Sequence, residues 1–382
     1  MFKWAQAAMS TVAGTAEPIY GSEAIRTVHQ HSEAADGKPD YTELTSKDLA
    51  WHVGKGTNVE TQVFYIATEA GPFAMAQVIY SVVIPGVKTT AQFNIKLFDP
   101  KNPDGKVWSS VPLSNPAFHD NNTSFYADNV AVILSEDGGI YKIKSQADSE
   151  AFCNIVFTRL SPGFMAGKDG RTTYGTDQAN PWGEIWHKFW PRCKVEGSLI
   201  LKGEQVNVDG HGLFIHALQN MKPHHAAARW NFANFQGPTT SAIMMEFTTP
   251  PSYATTRVAV GGLAKDGQII SGTLDNTAEH VKAENDPEAE WPEPKDIKFT
   301  WKGKDKDGKE VVGVIEKSWG PRMDRVDVMG EVPDFVKKIA SAAAGTRPYI
   351  YQYYEPATLK IKVGDQETSE EGIIFSEATF IS

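Results

Sequence analysis

Cysteine is scarce in this sequence, whose 382 residues include only Cys153 and Cys193. Two cysteines cannot form a disulfide framework in a chain of this size, so their scarcity favours a reducing compartment. Long hydrophobic runs are missing too, since no stretch approaches the roughly 18 consecutive apolar residues that a membrane-spanning helix needs. We therefore expect a cytosolic protein that does not cross a bilayer.

Positive charge is in deficit. The sequence has 37 Lys and Arg residues against 47 Asp and Glu residues, which gives a formal net charge of −10. Binding to nucleic acid depends on a positively charged surface. The charge balance therefore argues against a nucleic-acid partner, although it leaves a local basic patch open.

Recognisable catalytic motifs are also missing. The sequence contains no Gly-rich phosphate loop, HExxH, nucleophile elbow or CxxC motif. We therefore expect no resident metal, no cofactor and no enzymatic activity.

What the sequence does have is length and aromatic side chains. A chain of 382 residues suits two domains. Its 10 Trp, 12 Tyr and 19 Phe residues predict large buried surfaces or an apolar cavity.

The first 18 residues have the pattern of an amphipathic helix. Apolar side chains recur at helical spacing on one face, namely Phe2, Ala5, Met9, Val12, Ala13 and Ala16, and polar side chains occupy the opposite face. Trp4 lies at the boundary, where an indole suits a membrane interface, and Pro18 ends the helix. We expect Phe2, Trp4, Met9 and Val12 to bind a membrane surface reversibly. The alternatives are a helix packed on its own domain and a frayed terminus.

From residue 41 onward the chain has the pattern of β-strands. Segments rich in Val, Ile, Phe and Tyr lie between 62 and 160, among them 62–68 and 73–84, and again between 194 and 380, among them 194–201 and 257–260. Gly, Pro, Asn and Asp separate them. Only 332–344 resembles a helix, and the acidic, proline-rich segment 282–296 is expected to be a solvated loop. So many strands without alternating helices predict two antiparallel barrels or sandwiches.

Histidine and aromatic residues concentrate between 209 and 237. His211, His216, His224 and His225 match no standard zinc spacing, so a metal site is a minority interpretation. They are candidate polar contacts for a ligand, or satisfied structural groups. Trp230 and Phe232 alternate at period two, so they share one face of a strand, as a pocket wall or as ordinary core.

The same region carries a family resemblance. The run from Lys222 to Phe232, KPHHAAARWNF, with NFQG at 234–237, MFKW at 1–4 and EPIYG at 17–21, resembles the fungal survival factor family over essentially the whole chain. The resemblance implies two tandem lipocalin-like antiparallel β-barrels preceded by a short amphipathic helix.

The resemblance also implies a function. Family members bind ceramide and move it non-vesicularly from the endoplasmic reticulum to the Golgi, which supports sphingolipid metabolism and survival under oxidative stress. The expected location is the cytoplasm, on the cytosolic face of both membranes, with the nucleus as a further location. We expect a monomer.

On this basis we divide the chain into a docking helix at 1–18, a linker at 19–40 and two lipocalin-like domains at 41–218 and 219–382. The candidate ligand contacts are His211, His216, His224, His225, Trp230 and Phe232. Two other hypotheses stay open: a hydratase-type enzyme acting on a hydrophobic isoprenoid or lipid substrate, and a stress protein with filled barrels and no ligand.

Overall fold

A computed structural model describes residues 18–32, 40–54, 56–221, 223–331 and 348–382. Every strand pairing within these ranges is antiparallel, and the few helices are single turns, which confirms the all-β prediction. The predicted docking helix, apart from Pro18, and the predicted helix at 332–344 lie outside the described residues. No helix of the described part is long and apolar enough to span a membrane.

The first sheet contains the strands from Ile25 to Gln219. They are β1 (Ile25–Arg26), β2 (Tyr41–Glu43), β3 (Asn58–Thr68), β4 (Phe73–Ile84), β5 (Lys88–Asp99), β6 (Asn102–Leu113), β7 (Ala117–His119), β8 (Ser124–Ala127), β9 (Val130–Leu134), β10 (Ile140–Ser145), β11 (Ala151–Arg159), β12 (Phe164–Ala166), β13 (Arg171–Tyr174), β14 (Gly183–Leu201), β15 (Glu204–Asn207) and β16 (Gly210–Gln219). Their main order is β6-β5-β4-β3-β16-β14-β11-β10-β9-β8-β7.

This sheet curls around its own core. Tyr80 on β4 contacts Phe118 on β7 with ring centres 5.0 Å apart, although the two strands are far apart in the sheet order. Phe93 on β5 and Ile143 on β10 belong to the same buried cluster. The two arms of the sheet therefore enclose one interior.

The second sheet contains the strands from Arg229 to Phe380. They are β17 (Arg229–Gln236), β18 (Thr240–Thr248), β19 (Arg257–Lys265), β20 (Gln268–Thr273), β21 (Thr277–Asn285), β22 (Pro292–Lys304), β23 (Glu310–Ser318), β24 (Asp324–Asp327), β25 (Tyr349–Val363) and β26 (Gln366–Phe380). Their main order is β20-β19-β18-β17-β26-β25-β23-β22-β21, and Thr273 on β20 pairs with Gly303 on β22. This pairing closes the sheet into a barrel.

The prediction of a loop at 282–296 is wrong, whereas the predicted solvent exposure holds for residues 282–285, 287, 288 and 290. β21 and β22 run through this segment as a hairpin, and Asp286 and Glu293 are only 3% and 6% exposed. Arg325 donates to both oxygens of Asp286, at 3.0 and 2.8 Å. The buried carboxylate of Asp286 therefore holds the hairpin to β24, while Glu284, Glu288 and Glu290 stay exposed.

A third core lies between the two sheets. It is formed by the side chains on the outer face of each sheet, where the two sheets pack against each other. On β3, Phe64 and Ile66 point into the first interior, whereas Val63 and Tyr65 point toward the second sheet. This division follows from the period-two alternation of a strand. Because β3 serves two cores, its side chains are buried on both faces.

The helices and the chain segment before β2 join these layers. The α-helical turns are α1 (Val28–His31), α2 (Pro223–Ala226) and α3 (Val328–Glu331), and the 3-10 turns are Ser22–Ala24, Ser46–Leu49 and Pro251–Tyr253. The backbone N–H groups of Tyr20 and Gly21 donate to the Ser252 carbonyl, at 2.8 and 3.0 Å. Ile25 then pairs with Tyr174 on β13, so the described part of residues 19–40 touches both sheets.

Candidate functional site

The histidines of the 209–237 region do not form one cluster. His211 and His216 both lie on β16, but their odd separation places them on opposite faces. His216 is fully buried in the first interior, and His211 is half-buried at the other end of the strand. His225 lies in α2, and the side chain of His224 lies outside the described part.

His216 belongs to a buried polar group inside the first sheet. Gln62 on β3, His216 on β16 and Lys188 on β14 are direct cross-strand neighbours, and Glu60 lies two residues before Gln62 on the same face. We call Glu60, Gln62, Lys188 and His216 the inner polar cluster. Glu60, Gln62 and His216 are each 0% exposed, in an interior whose side chains are mostly apolar.

The Glu60 carboxylate organises this cluster. It accepts hydrogen bonds from His216 Nε2 at 2.9 Å and from the backbone N–H groups of His52 and Val53 at 2.7 and 3.3 Å. Burial lowers the pKa of His216, so its imidazole is neutral at neutral pH. Because Nε2 carries the proton given to Glu60, Nδ1 is left as a hydrogen-bond acceptor.

Aromatic rings surround the inner polar cluster. The rings of Trp51 and Trp186 lie 5.3 and 5.0 Å from the His216 imidazole, measured between centres. Lys188 Nζ lies 4.0 Å from the centre of the Trp186 ring and donates to the Asp48 carbonyl. Burial lowers the pKa of Lys188. The cluster therefore combines a few polar groups with apolar walls, as small-molecule sites do.

Five buried polar atoms in and beside the cluster have no hydrogen-bond partner among the described residues. They are two donors, the indole Nε1 atoms of Trp51 and Trp190, and three acceptors, Asn58 Oδ1, Gln62 Oε1 and His216 Nδ1. Gln62 Nε2 donates to the Tyr141 hydroxyl, at 3.3 Å. An unsatisfied buried polar atom costs about 1–3 kcal/mol, and nearly all such atoms in folded proteins are paired. Their concentration here marks a place suited to a polar ligand group.

Residues 45–53 cover this cluster, and we call them the cap. Trp51 donates its backbone N–H to the Asn122 carbonyl at 2.7 Å, and the hydrogen bonds to Glu60 and Lys188 hold the cap to the cluster. Val53 has a φ of 46°, in the left-handed region that a β-branched side chain rarely adopts. Such strain persists only where neighbouring contacts enforce it, and it concentrates at functional sites.

A second candidate site lies at one end of the second barrel. A cavity of about 330 Å³ is lined by both polar and aromatic side chains, among them Trp230, Asn231, Glu246, His280 and Phe380. His280 Nε2 contacts Asn231 Oδ1 at 2.8 Å, and Asn231 Nδ2 donates to Glu246 at 3.1 Å. Burial lowers the pKa of His280 to about 4. These polar groups are already satisfied by one another.

Trp230 and Phe232 lie on one face of β17, as their alternation predicts. Both belong to the core between the sheets, where the Phe232 ring lies 5.1 Å from Tyr65. Trp230 also borders the cavity, whereas Phe232 is only 2% exposed and does not line it. A ligand contact by either residue stays a prediction.

Sequence reasoning missed Trp51, Glu60, Gln62 and Lys188. The sequence places β3 at 62–68, whereas the strand begins at Asn58. The missed signal is the polar series Asn58, Glu60 and Gln62 at alternate positions, continuous with the inward-facing Phe64. Further along β3, the same face carries apolar side chains. Polar side chains on such a buried face are unusual, and they indicate a buried polar site.

Neither cysteine is suited to redox chemistry. Cys153 and Cys193 are free and buried, and burial raises the pKa of the Cys153 thiol to about 12 and that of Cys193 further. Reactive thiols are exposed and have lowered pKa values. Within the described ranges, no group of three or more His, Cys, Asp or Glu side chains is placed to hold a metal ion.

Comparison with known sequences gives matches along the whole chain. A model of the Svf1 family matches residues 2–382. The ceramide-binding protein svf-1 of Neurospora crassa is 53% identical over 385 residues, which cover 100% of both chains. The ceramide-binding protein svf1 of Schizosaccharomyces pombe is 41% identical over 385 residues, again covering 100% of both.

Comparison with solved structures shows the fold. A structure of CghA with Sch210972 has a TM-score of 0.59 at 10% identity and covers 90% of this chain and 99% of that one. A putative AttH from Nitrosomonas europaea has a TM-score of 0.55 at 13% identity, covering 87% and 95%. Kievitone hydratase from Nectria haematococca has a TM-score of 0.50 at 14% identity, covering 90% and 97%. These likenesses confirm the tandem lipocalin-like fold.

Proposed function

This chain belongs to the Svf1 family, and from that premise we propose that it binds ceramide and carries it between membranes. The observation that carries the proposal is that relatives 40–53% identical to this chain, and spanning it almost entirely, are named ceramide-binding proteins. We further propose that this transfer runs from the endoplasmic reticulum to the Golgi. It would support sphingolipid metabolism and survival under oxidative stress.

The physical requirements of such a carrier support the proposal. A ceramide has two hydrocarbon chains, which must be shielded from water, and an amide and hydroxyl groups, which need hydrogen bonds once buried. The first interior offers apolar walls beside an inner polar cluster with unpartnered atoms. Binding and release require no covalent chemistry, so the proposed carrier needs no catalytic residue.

Membrane contact is proposed to occur through residues 1–18. A reversible amphipathic helix lets a carrier touch a donor and an acceptor membrane without staying on either. The proposed location is therefore the cytosolic face of the endoplasmic reticulum and Golgi membranes.

One observation favours a second candidate function. His216 and Glu60 form a fully buried hydrogen-bonded pair, the arrangement of many general acid–base residues, which a hydratase-type enzyme could use. Chemical turnover of a hydrophobic substrate, lost in His216→Gln, would favour this enzyme over a carrier.

A transfer assay tests the proposal. Donor liposomes contain a ceramide with a fluorophore on its acyl chain, acceptor liposomes contain a quencher, and the protein is either the full chain or the chain lacking residues 1–18. We expect the full chain to accelerate transfer and the deletion to slow it. Equal transfer by both proteins would remove the helix from the mechanism, and no transfer by either would contradict the carrier function.

A further inference from the structure

We infer that the interior of the first sheet holds the polar end of the lipid, with Trp51, Gln62, Trp190 and His216 as its hydrogen-bond partners. This inference rests on the proposed ceramide binding and assigns it a place and a set of contacts. The four side chains lie in one row of contacting residues. Trp51 packs against His216, His216 lies opposite Gln62, and Phe214 connects His216 to Trp190 with ring centres 6.5 and 5.2 Å away.

The unpartnered atoms complement the polar groups of a ceramide. The two indole N–H groups are donors, and they match an amide carbonyl or hydroxyl oxygen. His216 Nδ1 and Gln62 Oε1 are acceptors, and they match an amide N–H or a hydroxyl hydrogen. A ligand with both amide and hydroxyl groups satisfies both kinds of atom, whereas a purely hydrocarbon ligand satisfies neither.

The hydrogen bonds of Glu60 fix the orientation of the His216 ring. Glu60 already accepts from His216 Nε2 and from two backbone N–H groups of the cap. It therefore orients the imidazole so that Nδ1 keeps its lone pair for the ligand. Glu60 is a positioning residue, and His216 is the contact.

The second barrel lacks an equivalent group of unpartnered atoms among its described residues. Trp301, a fully buried residue of its core, donates its indole N–H to the Ile243 carbonyl, at 2.9 Å. Asn231, Glu246 and His280 at its end are hydrogen-bonded to one another. Thr273 Oγ1 and Trp319 Nε1 are its unpartnered buried side-chain atoms, and the Trp319 ring stacks on Tyr353 with ring centres 4.7 Å apart. Trp319 therefore provides a matched control for Trp51.

Access to the site requires movement of the cap. The members of the row are buried, and Trp51 itself is only 2% exposed. The cap carries the strained Val53, and its side chains and backbone touch the cluster directly. In this inference the cap opens to admit the lipid and closes again with the Trp51 indole against its polar end.

Equilibrium binding of two probes tests the inference. One probe is a ceramide with a fluorophore at the end of its acyl chain. The other is a diacylglycerol with the same fluorophore, which lacks the amide N–H. The full-length variants are His216→Gln, which keeps a donor for Glu60 but removes Nδ1, together with Trp51→Phe and Trp190→Phe, which each remove one indole N–H. Trp319→Phe is the control, and thermal unfolding followed by circular dichroism confirms that each variant is folded.

We expect each of the three variants to lose about fivefold to thirtyfold in ceramide affinity, the effect of one or two hydrogen bonds. The preference for ceramide over diacylglycerol should shrink in His216→Gln, and Trp319→Phe should bind as the unaltered chain does. Unchanged ceramide binding by the folded variants would overturn the inference while leaving the carrier function intact. Failure of the unaltered chain to bind ceramide would instead contradict the proposed function itself.

Discussion

His187 illustrates how single residues behave in this protein. Its side chain lies in the core between the sheets, stacked on Phe189 with ring centres 6.1 Å apart. Burial lowers its pKa to about 4, so it is neutral at neutral pH. The sequence names His216 as a candidate polar contact but does not predict the burial of His187, because an inward and an outward polar residue look alike within one strand. Only the pairing of distant strands decides which face becomes buried.

The buried histidines predict an acid-sensitive fold. Between pH 6.5 and about 4 the unfolded chain binds a proton at His187 that the folded chain excludes, so stability falls as the pH falls through this window. The loss for this one group amounts to at most about 3 kcal/mol. We expect His187→Phe to show a smaller drop in urea midpoint between pH 7 and pH 4.5 than the unaltered chain. The control is His119→Gln at an exposed position, and equal drops in all three proteins would contradict the prediction.

The strands agree with the sequence prediction where one of their faces is apolar, and they differ from it elsewhere. The strands at 73–84 and 257–260 are predictable from Val, Ile and Phe, and they correspond to β4 and part of β19. β14 is much longer than the predicted 194–201, because a bulge between Trp190 and Cys193 accommodates Pro191 within the strand. Judged by local propensity alone, a strand should end at this proline. In the structure, β14 pairs with β16 on both sides of it.

The N-terminal helix is predicted from the sequence pattern alone. Substitutions at two adjacent residues test its proposed docking role. Met9 lies on the predicted apolar face and Ser10 on the polar face. Burying a methionine side chain contributes at most about 1.5–3 kcal/mol, so Met9→Asp should weaken the affinity for vesicles about tenfold or more. Ser10→Asp adds the same charge and should retain binding. Liposome flotation measures both, and equal binding of the two variants would contradict the docking role.

At the scale of the whole molecule, the two sheets are joined through a common core. Phe73 on β4 stacks on Phe375 on β26 with ring centres 4.5 Å apart. Beside them, Lys96, which is 2% exposed, donates to Asp324 at 2.6 Å and to Gln352, so a buried ion pair also connects the sheets. Two barrels are predictable from the number of strands. Their shared core is not, because contacts between residues so distant in sequence leave no local periodicity.

This shared core should determine the stability of the whole chain. Phe375→Ala removes a ring that is 2% exposed and contacts Tyr65, Phe73 and Phe232, so we expect a loss of about 3–5 kcal/mol in the free energy of unfolding. Val281→Ala, at a position 60% exposed, should change it by less than about 0.5 kcal/mol. Urea unfolding followed by circular dichroism measures both. A loss below about 1 kcal/mol for Phe375→Ala would mean that the sheets are stable independently of each other.

Ceramide binding is the central claim, and native mass spectrometry tests it most directly. The full-length chain is incubated with liposomes that contain ceramide, separated from them by flotation, and weighed under non-denaturing conditions. We predict a population whose mass exceeds that of the protein by one intact ceramide. A chain that leaves the liposomes without any lipid, at every ceramide concentration, would contradict the claim and favour filled barrels.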